Sequence, residues 1–162
     1  MAHHAKTPEK TNALRMLDAA HVPHEVRFFG DDTAKSGVEV AMELGQDPMR
    51  VFKTLVTVGK SGQHYVFMVP APAELDLKKA AAAAGEKSIA MIKARELLPL
   101  TGYVHGGCSP LGMKKEFPTF IDETAELFDS IMCSGGRIGC QIELALSDLR
   151  RLVDVQVADI TA

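Results

Sequence analysis

Val51-Phe52-Lys53-Thr54-Leu55-Val56-Thr57-Val58 is rich in β-branched side chains and reads as a buried strand. Lys60-Ser61-Gly62 then supplies a turn, and His64 to Val69 returns as the partner strand. Pro70 and Pro72 interrupt further pairing.

Upstream, Thr7-Pro8 is a good helix start, and Ala13, Leu14, Leu17 and Ala20 form one apolar face that Val22-Pro23 ends. Residues 1–9 read as a mobile tail and residues 10–162 as the domain. Glu25 to Phe29 reads as a strand and Gly30-Asp31-Asp32 as a turn. Ser36 with Glu39 makes a capping box, and Gly45 is the matching stop. Downstream, Asp76 caps a helix over Leu77 to Ala84, ended by Gly85. Ser88 to Met91 is a short strand, and Lys93 to Leu98 a helix stopped by Pro99. Further strands are expected at Gly102 to His105, Thr119 to Ile121, Ser130 to Cys133, Ile138 to Leu144 and Val155 to Ile160. A last helix, capped by Ser147, runs through Val153. Strands joined by short turns, without regular βαβ alternation, predict an α+β domain: a mixed, barrel-like sheet with helices packed outside.

The 162 residues suit one domain, with 46% hydrophobic and 24% charged residues as in a globular protein. No apolar run approaches a membrane span, and Met1 to Lys6 has no apolar core of a secretory signal, so no membrane contact and a cytoplasmic location are expected. Cys108, Cys133 and Cys140 contain no CxxC pair, which argues against disulfides and zinc. His21 with His24, or His105 with Cys108, offer only two ligands each, so no metal and no cofactor are expected. The net charge of −3 argues against a broad basic face for duplex DNA. No Walker motif, dinucleotide fingerprint, GxSxG elbow or HExxH is present.

The candidate chemistry lies in Gly106-Gly107-Cys108-Ser109-Pro110-Leu111-Gly112 and in Lys53. Glycine lets backbone N–H groups approach a ligand, and proline freezes φ and removes a donor. Such a loop could aim N–H groups at one substrate oxygen, or be an ordinary tight turn. Lys53 either points to a solvated face, the commoner case, or acts as a point charge in a pocket. Ser134-Gly135-Gly136-Arg137 reads as a hairpin turn, and its serine could line the same cleft. Lys78, Lys79, Lys114 and Lys115 read as solvated pairs, or together as cations that could meet a phosphate backbone. Cys108 needs a cation or helix N-terminus to become a nucleophile, and neither is evident.

Six strings in this order go beyond composition: Val51 to Leu55, Glu74 to Lys79, Thr101 to Tyr103, Gly106 to Gly112, Phe117 to Asp122 and Ser134 to Arg137. With them the chain, from about Lys10 to Ile160, resembles the YbaK/EbsC family of aminoacyl-tRNA deacylases, relatives of the editing domain inserted in many bacterial prolyl-tRNA synthetases. The resemblance implies removal of cysteine mischarged on tRNA(Pro), with some action on Cys-tRNA(Cys). In that family the substrate's own thiol attacks its carbonyl. The essential lysine falls on Lys53 and the catalytic loop on Gly106 and Gly107. The substrate-binding positions fall on Thr54, Cys108, Ser109, Pro110, Ser134, Gly135 and Gly136. Phe28 stands where family members carry a tyrosine, and Gln141 where they carry an aspartate, both at positions implied to shape the pocket. The implied partners are mischarged tRNA and prolyl-tRNA synthetase. A different small amino acid, a non-catalytic binding module and a thiol protein are the rival readings.

Overall fold

The computed structural model describes residues 10–30 and 35–162. Thr11 caps the first helix, α1 (Asn12–Ala19): its hydroxyl accepts the Leu14 N–H at 3.1 Å. Thr7, Pro8 and the expected tail lie outside the described residues, as do Asp31 and Asp32 of the expected turn. After β1 (Glu25–Phe28), the capping box of Ser36 and Glu39 opens α2 (Gly37–Leu44), and Gly45 ends it in the left-handed region at φ 67°. A 3₁₀ turn at Pro48–Arg50, capped by Asp47, leads into β2 (Phe52–Gly59) and β3 (His64–Pro70). Asp76 caps α3 (Leu77–Ala84) by accepting the N–H groups of Lys78 and Lys79, and β4 (Ile89–Met91) follows.

Two expectations fail in the next stretch. The helix α4 (Ala94–Thr101) does not stop at Pro99 but runs through it. Pro99 forfeits one N–H, yet Thr101 Oγ1 donates to Leu97 O and Gly102 N–H to Leu98 O, so the last turn closes around it. No strand forms at Gly102 to His105. Gly102 is left-handed at φ 84°, the Tyr103 N–H donates to Thr101 Oγ1, and the Tyr103 hydroxyl to Leu111 O. The segment satisfies itself locally and has no ladder partner.

The chain continues through β5 (Thr119–Asp122), a 3₁₀ turn at Glu123–Leu127, β6 (Ile131–Ser134) and β7 (Cys140–Leu144). It ends with α5 (Leu146–Leu152) and β8 (Val155–Ala158). Ser147 does not cap α5: Ala145 holds the cap position, without a side-chain bond, and Ser147 lies inside the helix.

The strands form a five-stranded sheet, order β4-β2-β3-β5-β8, and a three-stranded sheet, order β1-β7-β6. β5 runs parallel to both β3 and β8, and every other pairing is antiparallel. A parallel bridge from Val51 to Met132 ties the two sheets together, so they curl toward each other without closing into a barrel. The main core fills the space between them: Phe52, Met68 and Ile121 from the large sheet, Ile131, Ile142 and Leu144 from the small one, with Leu14 and Leu17 of α1 as cover. The opposite face of the large sheet carries Tyr65, Phe67, Val69 and Phe120 against Ala80 and Ala81 of α3. Small alanines let that helix lie close to the sheet. Among the described residues no helix is long and apolar enough to cross a membrane.

Candidate active site

The seam between the sheets, at the bridge beside Val51, opens into a cleft of about 320 Å³. Its floor is Cys133 and Ser134 of β6 with Cys140 and Gln141 of β7. One wall is the start of α2 and the residue pair before it: Lys35, Ser36, Gly37 and Val40. The facing wall is Leu97 of α4 with His105, Gly106 and Cys108. The start of β2 contributes Phe52, Lys53 and Thr54. Thus Lys53, Thr54, Gly106, Cys108, Ser134 and Gln141, named from sequence, meet around one cavity although they span the chain.

The other expected residues sit behind this wall. Gly107 N–H donates to Val104 O at 3.0 Å and so is already engaged. A Cβ on Gly107 would lie 2.8 Å from backbone atoms of Arg137 and Ile138, so its glycine is needed for two loops to touch. Ser109 is fully buried, and its hydroxyl accepts the Leu111 N–H at 3.2 Å. Pro110 borders a separate small cavity with Met16 and Phe117. A Cβ on Gly135 would meet Cys140 Sγ, and one on Gly136 would meet Thr11. These are packing positions rather than cleft-lining ones.

Phe28 also misses the cleft. It pairs with Cys140 at the very end of the small sheet, where the core gives out, and stays 53% exposed. Phe29, one residue on, lines the cleft instead, its N–H held by Gly139 O at 2.9 Å. Gln141 does line it, and its neutral amide has a reason. Gln46 Nε2 donates to Gln141 Oε1 at 2.7 Å, and Gln141 Nε2 donates back to Gln46 Oε1 at 2.9 Å. An aspartate at this position could accept but not donate. Lys35, Gly37, Phe29 and His105 were missed from sequence. Only the capping box at Ser36 signalled that this helix start would matter.

The cleft is electropositive. Lys35 and Lys53 line it, and no Asp or Glu does among the described residues. Glu43 anchors Lys35, and the hydrogen bond from Lys35, with one from Gly30 N–H, holds its carboxyl below the usual range. Among the described residues Lys53 has no hydrogen-bonding or ion-pair partner, and Thr54 Oγ1 is buried with none. Lys53 is available to a ligand, while Thr54 Oγ1 is an unsatisfied hydroxyl enclosed beside the cleft.

The thiols are poor nucleophiles. Burial pushes Cys108 up to about 12, against a lowering hydrogen bond with Thr101, and pushes Cys133 up to about 12. Burial also raises Cys140, opposed by the nearby Arg137 charge. A thiol reacts as thiolate, and burial disfavours that form in all three. No group of three or more potential metal ligands occurs among the described residues.

An α+β fold with an electropositive cleft between two sheets defines a class: the family model of the aminoacyl-tRNA editing domain matches residues 31–152, and the chain belongs to that family. Within it the chain is 45% identical, over 96% of either chain, to EbsC of Enterococcus faecalis (strain ATCC 700802 / V583), whose name proposes a Cys-tRNA(Pro)/Cys-tRNA(Cys) deacylase. It is 28% identical to the uncharacterised protein YwhH of Bacillus subtilis (strain 168), over 73% of this chain and 75% of that one. A crystal structure of a proposed trans-editing enzyme for prolyl tRNA synthetase superposes with a TM-score of 0.84 at 26% identity, covering 98% of this chain and 99% of that one. The protein thus stands with EbsC in the YbaK/EbsC branch of the aminoacyl-tRNA editing family.

Proposed function

We propose that the cleft removes cysteine mischarged on tRNA(Pro), and also acts on Cys-tRNA(Cys), by using the substrate's own thiol. The observation that carries this reading is a cleft with cations but no activated thiol: Lys53 and Lys35 stand beside three thiols whose burial disfavours the thiolate. The likeness to EbsC supports the choice of amino acid.

The chemistry balances without further reactants. The cysteinyl sulfur bonds to the carbonyl carbon, the carbon–oxygen bond to the ribose breaks, and the thiol proton ends on the ribose oxygen. The products are a cyclic thiolactone and free tRNA. Negative charge builds on the carbonyl oxygen on the way. Gly106 and Cys108 border the cleft, and their N–H groups have no acceptor among the described residues, unlike that of Gly107. They are the donors for this oxyanion, and one such donor is worth ~10²–10³ in rate. Lys53 holds the terminal nucleotide or the carbonyl region as a point charge, and Thr54 and Ser134 complete the substrate's polar contacts. Val40, Ala71 and Leu97 leave an apolar site for a small side chain.

With a net charge of −3 the protein holds tRNA weakly alone, because phosphate contacts dominate such affinity. Prolyl-tRNA synthetase, which already grips the tRNA in the cytoplasm, is the partner this calls for.

The test is release of labelled cysteine from Cys-tRNA(Pro) at sub-stoichiometric protein, beside Lys53→Ala, Cys108→Ala and an Ala-tRNA(Pro) control. Multiple turnovers on cysteine, lost in Lys53→Ala and largely kept in Cys108→Ala, are expected. Turnover on alanine but not cysteine would move the protein to another small amino acid with water as nucleophile. Loss in Cys108→Ala alone would make it a thiol enzyme and refute the mechanism.

A further inference from the structure

Outside the cleft, one arrangement has no structural task. The guanidinium carbon of Arg137 lies 5.8 Å from the centroid of the Phe28 ring. Phe28 is 53% exposed, which is costly for a phenylalanine that fills no core. Arg137 is only half-buried, and among the described residues its guanidinium makes no hydrogen bond or ion pair. A ring backed by a cation, with unused donors, is a surface for a flat, electron-rich group flanked by negative charge.

Its position is set by the cleft. Phe28 precedes Phe29 and pairs with Cys140, and both of those neighbours line the cavity. The Arg137 backbone packs on Gly107, next to Gly106 of the opposite wall. The pair therefore adjoins the cavity through the neighbours that line it. An ester bound inside has its ribose and base directed outward, and the tRNA 3′ end is single-stranded, so its bases are free to stack. Unpaired bases are held by stacking on aromatic rings and arginine planes.

We propose that Phe28 and Arg137 form a nucleobase platform: an unpaired base of the tRNA 3′ end stacks on Phe28, and Arg137 donates to the flanking phosphate. This rests on the aminoacyl-tRNA reading above.

The chain contains no tryptophan, so Phe28→Trp creates a single tryptophan at the platform, excited selectively over the two tyrosines, while keeping an aromatic face. It would be titrated at low salt with an uncharged acceptor minihelix carrying the single-stranded 3′ end, with the same duplex made blunt, and with AMP. Quenching by the minihelix and not by the blunt duplex is expected. Quenching by AMP as well would mean that a free nucleotide also fills the site; no quenching by either minihelix or AMP overturns the proposal, as does equal quenching by the blunt duplex. In parallel, anisotropy of a labelled minihelix should show Phe28→Ala and Arg137→Gln binding about 5- to 150-fold more weakly, the range for losing one stacked base. Phe28→Trp should bind like the original, and thermal unfolding should confirm that each variant is folded. Unchanged binding in folded Phe28→Ala and Arg137→Gln would refute the platform even if deacylation proceeds. Absence of deacylation on every aminoacyl-tRNA, with quenching intact, would instead remove the reading on which it rests and leave the nucleobase site standing.

Discussion

Gly107→Ala is the sharpest test of how the cleft wall is built. An ideal Cβ at this position lies 2.8 Å from Arg137 C, Arg137 Cα and Ile138 N. Carbon atoms in contact sit about 3.5–4.0 Å apart, so the new methyl is too close by roughly 0.7–1.2 Å. The opposing atoms are backbone, and no rotamer change relieves them. Gly107 does not have a positive φ, so alanine brings no backbone strain of its own and the whole effect is steric. Overpacking of this kind costs about 1–3 kcal/mol. The substitution also keeps the Gly107 N–H and its bond to Val104 O. Any loss of activity must then come from displacement of neighbouring Gly106, and a shift near 1 Å in a reacting geometry can cost ~10²-fold. Urea unfolding should show a lower midpoint at unchanged slope, and deacylation of Cys-tRNA(Pro) should fall about 10²-fold or less. A variant with the original midpoint and rate would refute the claim that these two loops touch. A variant of original stability but greatly reduced rate would return Gly107 to a direct part in the chemistry.

Gly37→Ala should misplace the other wall, because its Cβ would sit 2.7 Å from the Cβ of Ala71; a drop of about 1–3 kcal/mol in urea is expected, and adding Ala71→Gly should recover most of it. Glu143 is held below its ordinary value of 4.5 first by the hydrogen bond from Ser130, then by Arg27 and Arg50, against a burial effect that raises it. A depressed carboxylate stabilises the fold above its unfolded value and loses that contribution as pH falls through the folded one. Glu143→Gln should therefore cost about 1–3 kcal/mol near neutrality and flatten the decline in stability below pH 4.5, as read from thermal unfolding across pH. The three buried free cysteines should resist a thiol reagent in native protein at pH 8 and all react in urea; rapid native labelling of Cys108 would contradict its burial.

What could be read from sequence was local. Asp76 and Gly85 bracket α3, Ser36 and Glu39 open α2, and Lys60 to Gly62 turns β2 into β3, because each signal acts within about four residues. The local readings failed where the signal was ambiguous. Pro99 fits a helix that is already ending, and Ser147 lost the cap to a neighbour without any capping side chain. The order of the six strings carried membership in the editing family, since shared ancestry leaves residues in place whether or not their contacts are known.

By itself, then, the sequence determined most of the elements, the α+β class and the family, and it singled out Lys53 and the Gly106 loop as candidates. Only the tertiary structure decided which neighbours share the cavity. It put Phe29 in the cleft and left Phe28 exposed outside it, and gave Gly106 a free N–H and Gly107 an engaged one. It also brought Lys35 and Gly37 to the wall and matched Gln46 to Gln141 across 95 positions of chain. Capping and turns depend on neighbours along the chain, whereas a cleft is made where two sheets and a helix start come to rest against one another.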